Sequence, residues 1–264
     1  MLLRTLKMAF WICHDHLGKL VVANLISMAL ALPLLMAAYG GLAVRGPAAL
    51  TVAVSAALLL FGLVLPVAGA GMAAMVKEFI DTRDGSLRTF FAGLRRFGPR
   101  AAALGGVYVL ALGCLAFSAR FYAGRFGESL PLLGYGLSAL AGWCVALGLL
   151  SAVLVAPALV QKDAGLRETV TLCLLLALAN PFLCFSLAIC CLLWLGLSLA
   201  PPVWLVFSLA PMVVLASSAY EMLARKYAAM AAPGAAGQAK IDFRDQEDDY
   251  LNRGFRDFLF PWKG

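Results

Sequence analysis

The sequence predicts an all-α fold, a polytopic transmembrane helical bundle of about six spans with interfacial amphipathic helices. Three observations carry that prediction. Of 264 residues 63% are hydrophobic and only 13% charged, against about 25% charged in a typical soluble domain, so there are too few charges to cover a water-facing surface. Apolar runs of about 20 residues recur along most of the chain, each able to cross a hydrocarbon core of about 30 Å at about 1.5 Å per residue. Finally, Lys and Arg gather in alternate connecting segments, as the positive-inside rule requires of a multi-pass protein.

Residues 1–18 form the first part. Leu6, Phe10, Cys13 and Leu17 recur at helical spacing with Arg4, Lys7, His14 and Asp15 between them, a pattern suited to a helix lying in the interface. No small-residue cleavage site closes a short hydrophobic segment near the N-terminus, so no removable signal peptide is expected. The six-span domain, 19–228, follows. Its first span runs from about Lys19 to Tyr39 and contains Asn24 and Pro33; its second runs from about Ala48 to Val76 and contains Pro66 and several glycines. Membrane helices tolerate both residue types where neighbours re-satisfy the backbone.

Between Lys77 and Arg100 the chain is most charged. Leu87, Phe90, Phe91, Leu94 and Phe97 alternate with Arg88, Arg95 and Arg96, which predicts a second interfacial helix capped by Asp84 or Ser86 and stopped at Gly98-Pro99. Its aromatic rings would lie at the acyl boundary and its arginines at phosphate depth. Spans three and four cover about Ala101 to Ser118 and Leu132 to Val160. From Leu166 to Ala200 the apolar run is too long for one simple span, and Asn180-Pro181 offers the break, which gives an in-plane or re-entrant helix to Asn180 and a fifth span to about Ala200; whether residues 166–180 span, re-enter or lie flat stays open. Pro201-Pro202 makes a turn into a sixth span from about Val203 to Leu223. The third part, 229–264, is a Pro/Gly/Ala-rich linker and a polar tail whose Phe255, Phe258, Leu259 and Trp262 present an apolar stripe beside Arg253, Arg256 and Lys263.

With a cytoplasmic N-terminus, eighteen of the 21 Lys and Arg residues fall on the cytoplasmic side, leaving only Arg45, Arg120 and Arg125 opposite. Both termini are then cytoplasmic. The formal net charge of +7 reads as a membrane-facing surface and not as a nucleic-acid site. None of the seven cysteines stands in a C-x-x-C pair, so neither disulfide nor zinc chemistry is indicated.

Ion-coupled transport needs a charge inside the bilayer, and these spans place none there. Glu221 comes nearest and has Arg225 four residues on as a partner. Asn24 and Asn180 are the only carboxamides in the apolar runs; each satisfies backbone opened by a nearby proline, bonds across helices, or contacts a polar substrate. His14-Asp15-His16 cannot converge on one ion from a helix, since successive residues point about 100° apart. No HExxH, GxSxG, Walker or GxGxxG pattern stands in the required context. No catalytic, metal or cofactor site is therefore expected. A short echo links Arg83-Asp84-Gly85-Ser86-Leu87-Arg88 to Lys162-Asp163-Ala164-Gly165-Leu166-Arg167, suggesting two elbows that set Arg88 and Arg167 near lipid phosphate or a partner.

Ala23-Asn24-Leu25, Leu32-Pro33-Leu34, Leu65-Pro66 with the small run Ala68 to Ala74, Ser86-Leu87 with Phe90-Phe91, the Lys162 to Arg167 elbow and Ala179-Asn180-Pro181 together resemble the YesL family of bacterial six-span membrane proteins of unknown function. The resemblance spans roughly residues 5–228. It departs at Ile26-Ser27, where the family often has a tryptophan, and in the long tail. It implies a bacterial cytoplasmic membrane protein, often encoded near carbohydrate uptake, with no catalytic residues to carry over. The expectation is a non-enzymatic accessory or assembly partner of a membrane complex or uptake system. Its partners would be membrane lipids and a membrane protein or a second copy of itself. The alternative is a small transporter or channel for a neutral or lipid-like solute.

Overall fold

The computed structural model describes residues 1–44, 46–126, 130–197, 208–231 and 249–253. Regular structure among them is helical throughout: α1 (Leu2–Asp15), α2 (Leu17–Ala43), α3 (Pro47–Leu59), α4 (Leu65–Asp81), α5 (Leu87–Phe121), α6 (Pro131–Ala152), α7 (Val155–Lys162), α8 (Leu166–Ala179), α9 (Pro181–Leu197), α10 (Ala210–Ala231) and α11 (Asp249–Asn252). A π-turn at Leu60–Val64 joins α3 to α4, and another, Tyr122–Phe126, extends α5. The protein is an all-α transmembrane bundle. Leu17–Ala43, Pro47–Asp81, Leu87–Phe126 and Pro131–Ala152 are each long and apolar enough to cross a membrane, and α8 with α9 makes a fifth span if the bent pair is counted as one.

The break at Asn180-Pro181 lies where the sequence places it, and α8 meets α9 at 103°. The sixth span differs from expectation. α10 begins at Ala210, seven residues after the predicted start, and continues to Ala231 through Glu221, Arg225 and Lys226, which keep it from qualifying as an apolar span by itself. Residues 198–207 lie outside the described part of the chain.

Two further expectations are corrected. Gly98-Pro99 does not stop a helix: α5 runs unbroken from Leu87 to Phe121 with Pro99 inside it. Small residues explain this. Gly93 lies against Gly71 and Ala74, and Gly105 against Gly62 and Pro66, so α5 packs closely on the π-turn and α4 on both sides of Pro99 and tertiary contact outweighs one missing hydrogen bond. For the same reason Phe90 and Phe97 are buried inside the protein, leaving Phe91 exposed, where the sequence had set all three rings in the acyl boundary. Of the predicted outward face, Leu6 and Phe10 of α1 and Leu17 at the start of α2 are exposed, but Cys13 packs against the core, and Thr5, Met8 and Ile12 are fully buried. This second face packs on α10 and brings α1 into the common core.

Candidate functional site

The three polar residues singled out within the spans are each held by the protein. Asn24, buried on α2, reaches the start of α10, where its Oδ1 accepts the N–H groups of Leu209 at 2.9 Å and Ala210 at 3.1 Å. The first N–H groups of a helix have no partner within it, and Pro211 brings none, so Asn24 caps α10 from another helix. Asn180 sits at the α8–α9 break. Its Nδ2 donates to the Leu176 carbonyl at 3.3 Å and to Tyr227 Oη at 2.8 Å, and its Oδ1 accepts from Lys226 Nζ at 2.8 Å. Glu221 Oε1 accepts from Arg225 Nε at 2.7 Å, the pairing that their spacing predicts.

Charged side chains gather at one end of the bundle, where both echo segments form elbows. Each leaves its helix through one non-glycine residue in the left-handed region, Arg83 at φ 61° and Asp163 at φ 49°, and the following helix starts at Leu87 or Leu166. At the second elbow Asp163 accepts from Arg96 at 2.5 Å and pairs with Arg100 at 2.9 Å, while Arg100 also reaches the Ala164 carbonyl. Hydrogen bonding from Arg96, with help from Arg100, holds the Asp163 carboxyl below its ordinary range. Arg96 is therefore a clamp within the protein. Arg88, Arg95 and Arg167 are exposed and form no ion pair with any described residue.

At the first elbow the C-terminal tail returns to the bundle. Tyr250 of α11 is buried; its hydroxyl donates to the Phe79 carbonyl at 3.2 Å and meets His16 Nε2 at 3.2 Å. The His16 ring stacks on Phe79, with centroids 3.9 Å apart. Lys7 donates to the Leu251 carbonyl at 2.5 Å, Arg253 pairs with Asp15 and lies over Trp11, and Arg83 lies over the Tyr250 ring. His14 turns instead to Asp15, so the three residues 14–16 do not converge. Sequence reasoning missed Tyr250, whose signal was one aromatic just after the acidic run. The stripe residues it chose, Phe255, Phe258 and Trp262, lie outside the described residues.

The tail contact carries a pH dependence. Burial, and then the nearby positive charges of Lys19 and Arg253, lower the His16 pKa against the opposing pull of Asp15 and Asp84. Cover by Tyr250 and the charge of Arg253 leave with the tail, so the docked state takes up the His16 proton less readily than the released state, and docking weakens only as pH falls below about 6.5. Fluorine NMR of protein carrying fluorotyrosine at Tyr250 should show a released signal growing in below that pH. His16→Gln should remove the step.

Two cavities adjoin these groups. An apolar one of about 710 Å³ lies between α3, α4, α5, α7 and α10, and a polar one of about 310 Å³ lies at the charged ends of α4, α5 and α7. No protein-family model, curated protein or solved structure matches the chain.

Proposed function

We propose that this chain is a non-enzymatic, multi-pass protein of a bacterial cytoplasmic membrane, with both termini in the cytoplasm, acting as an accessory or assembly partner of a membrane complex or uptake system. The observation that carries the reading is the return of residues 249–253 to the charged end, where Tyr250 is buried between α1 and α4. Tyr250 held there and the exposed Arg88, Arg95 and Arg167 are the surface that this reading assigns to a partner. Basic residues next to an apolar stripe suit a partner groove or an anionic surface. The positive-inside count and the resemblance to the YesL family support the orientation.

A second reading, a small transporter for a neutral or lipid-like solute, is favoured by the bent α8–α9 pair, since broken helices often line substrate sites. Against it, Asn24 and Asn180 spend their carboxamides within the protein.

The test is a mild-detergent pull-down from native membranes with the full chain, with Tyr250→Ala, and with the triple charge reversal of Arg88, Arg95 and Arg167 to Glu. A stoichiometric membrane partner kept by the full chain and lost from the folded variants is the expected result. Solute uptake by wild-type vesicles that Asn24→Leu and Asn180→Leu abolish, with no partner found, would replace this reading by the second.

A further inference from the structure

The two cavities lie end to end along the same three helices. On α5, Phe97 lines the polar cavity and Ala101, one turn on, lines the apolar one; on α7, Val160 and Leu159 do the same. From Ala101 to Leu112 the apolar cavity follows α5 for about 16 Å at about 1.5 Å per residue, close to the depth of one leaflet, about half of 30 Å. It opens past Val54, Leu58 and Phe61, all about half exposed, toward the face of the bundle that meets lipid. An apolar slot of leaflet depth, running from the lipid up to a charged cavity, has the shape of one phospholipid.

Charge at the mouth selects the head group. The polar cavity is lined by Lys77 and Arg96 on one hand and by Glu78, Asp81 and Asp163 on the other. Asp163 is taken by Arg96 and Arg100, and Glu78 accepts from Thr89. Lys77 and Asp81 remain. They stand four residues apart on α4, both line the cavity, and neither forms an ion pair with any described residue, although that spacing normally allows one with the other. A cation and an anion side by side match a head group that carries a phosphate and an ammonium.

We propose that the seam between α4, α5 and α7 binds a zwitterionic phospholipid of the phosphatidylethanolamine type. Its phosphate meets Lys77, its ammonium meets Asp81, and one acyl chain enters the apolar cavity. Lipid binding of this kind does not depend on the accessory role proposed above.

Native mass spectrometry of the full chain, delipidated in detergent and titrated with phosphatidylethanolamine or phosphatidylglycerol of equal chain length, tests this. Wild type should hold phosphatidylethanolamine at least tenfold more tightly. Asp81→Asn should lose that preference, and Gly69→Leu should lose both lipids. A side chain at Gly69 projects toward Ala156 across a contact of 3.8 Å and, because Gly69 lines the apolar cavity at the end nearest the polar one, blocks the acyl path there. Unchanged melting midpoints keep these effects apart from misfolding. Equal binding of the two lipids by wild type, or an Asp81→Asn protein that keeps the preference, would overturn the proposal. So would full displacement of the lipid by free phosphoethanolamine at equal concentration, because the acyl chain would then contribute nothing.

Discussion

Replacing Asn24 with leucine should destabilise the detergent-solubilised protein by about 3 kcal/mol, the larger part of the effect coming from α10. Leucine has the same number of side-chain heavy atoms with the same branching but is bulkier, so the change removes the hydrogen bonds and adds a modest overpacking at a fully buried position. The N–H groups of Leu209 and Ala210 then lose their shared acceptor in a place where Ala210 is 1% exposed and Ser208 5%. A buried donor left without an acceptor costs about 1–3 kcal/mol, and there are two. Hydrogen bonds between membrane helices contribute on average about 0.6 kcal/mol, a smaller figure because both partners usually find substitutes; backbone N–H groups at a helix start that includes Pro211 have fewer. Asn24→Asp keeps the accepting oxygen beside the positive end of the helix and should recover part of the loss. The measurement is the thermal midpoint of each variant in one detergent, with amide exchange at residues 209–213 locating the damage. If Asn24→Leu melts within a degree of wild type, Asn24 does not cap α10 in the membrane protein.

That cap shows where the sequence is legible and where it is not. A carboxamide in an apolar run announces that some backbone needs it, and both Asn24 and Asn180 are found satisfying backbone. The bond from Asn180 to the Leu176 carbonyl follows from local geometry, since proline at 181 opens that turn. The partner of Asn24 lies 185 residues away, and periodicity carries no information over such a distance. The same division holds at the charged end. The echo between residues 83–88 and 162–167 signals two elbows, but the Arg96–Asp163 clamp and the seat of Tyr250 depend on how α5 and the tail fold back.

Pro99 teaches a different lesson. Local rules predict a helix stop at Gly98-Pro99, and they fail because small residues on both helices let α4 and α5 approach closely on either side of Pro99. The glycines and alanines of the Ala68 to Ala74 run thus support the long helix. The spans themselves were plain from hydropathy. The charges of α10 serve the protein, Lys226 at the α8–α9 break through Asn180 and Glu221 with Arg225 along the helix.

Gly105 and its neighbour Gly106 offer the sharpest test of that packing. A methyl group on Gly105 would lie 2.4 Å from Pro66 Cγ and 2.5 Å from the Gly62 carbonyl oxygen, whereas one on Gly106 would meet nothing within 4 Å. Gly105→Ala must therefore push α5 away from the π-turn and the start of α4, and a backbone oxygen and a ring carbon have little room to yield. Overpacking of this sort costs about 1–3 kcal/mol. Because the contact belongs to the same seam as Gly93 against Gly71 and Ala74, separation here also loosens that packing, so the upper end of that range is expected. Gly106→Ala, one residue along the same helix, should be neutral or stabilise by up to about 1 kcal/mol through helix propensity. Chemically the two substitutions are identical, which removes detergent, expression and side-chain entropy from the comparison. Unfolding of both variants in a denaturant series, followed by circular dichroism, reads the difference directly. Equal stability of the two would mean that α4 and α5 do not make this contact in the membrane. A gap of about 3 kcal/mol would place the stability of the bundle in the close approach of these two helices.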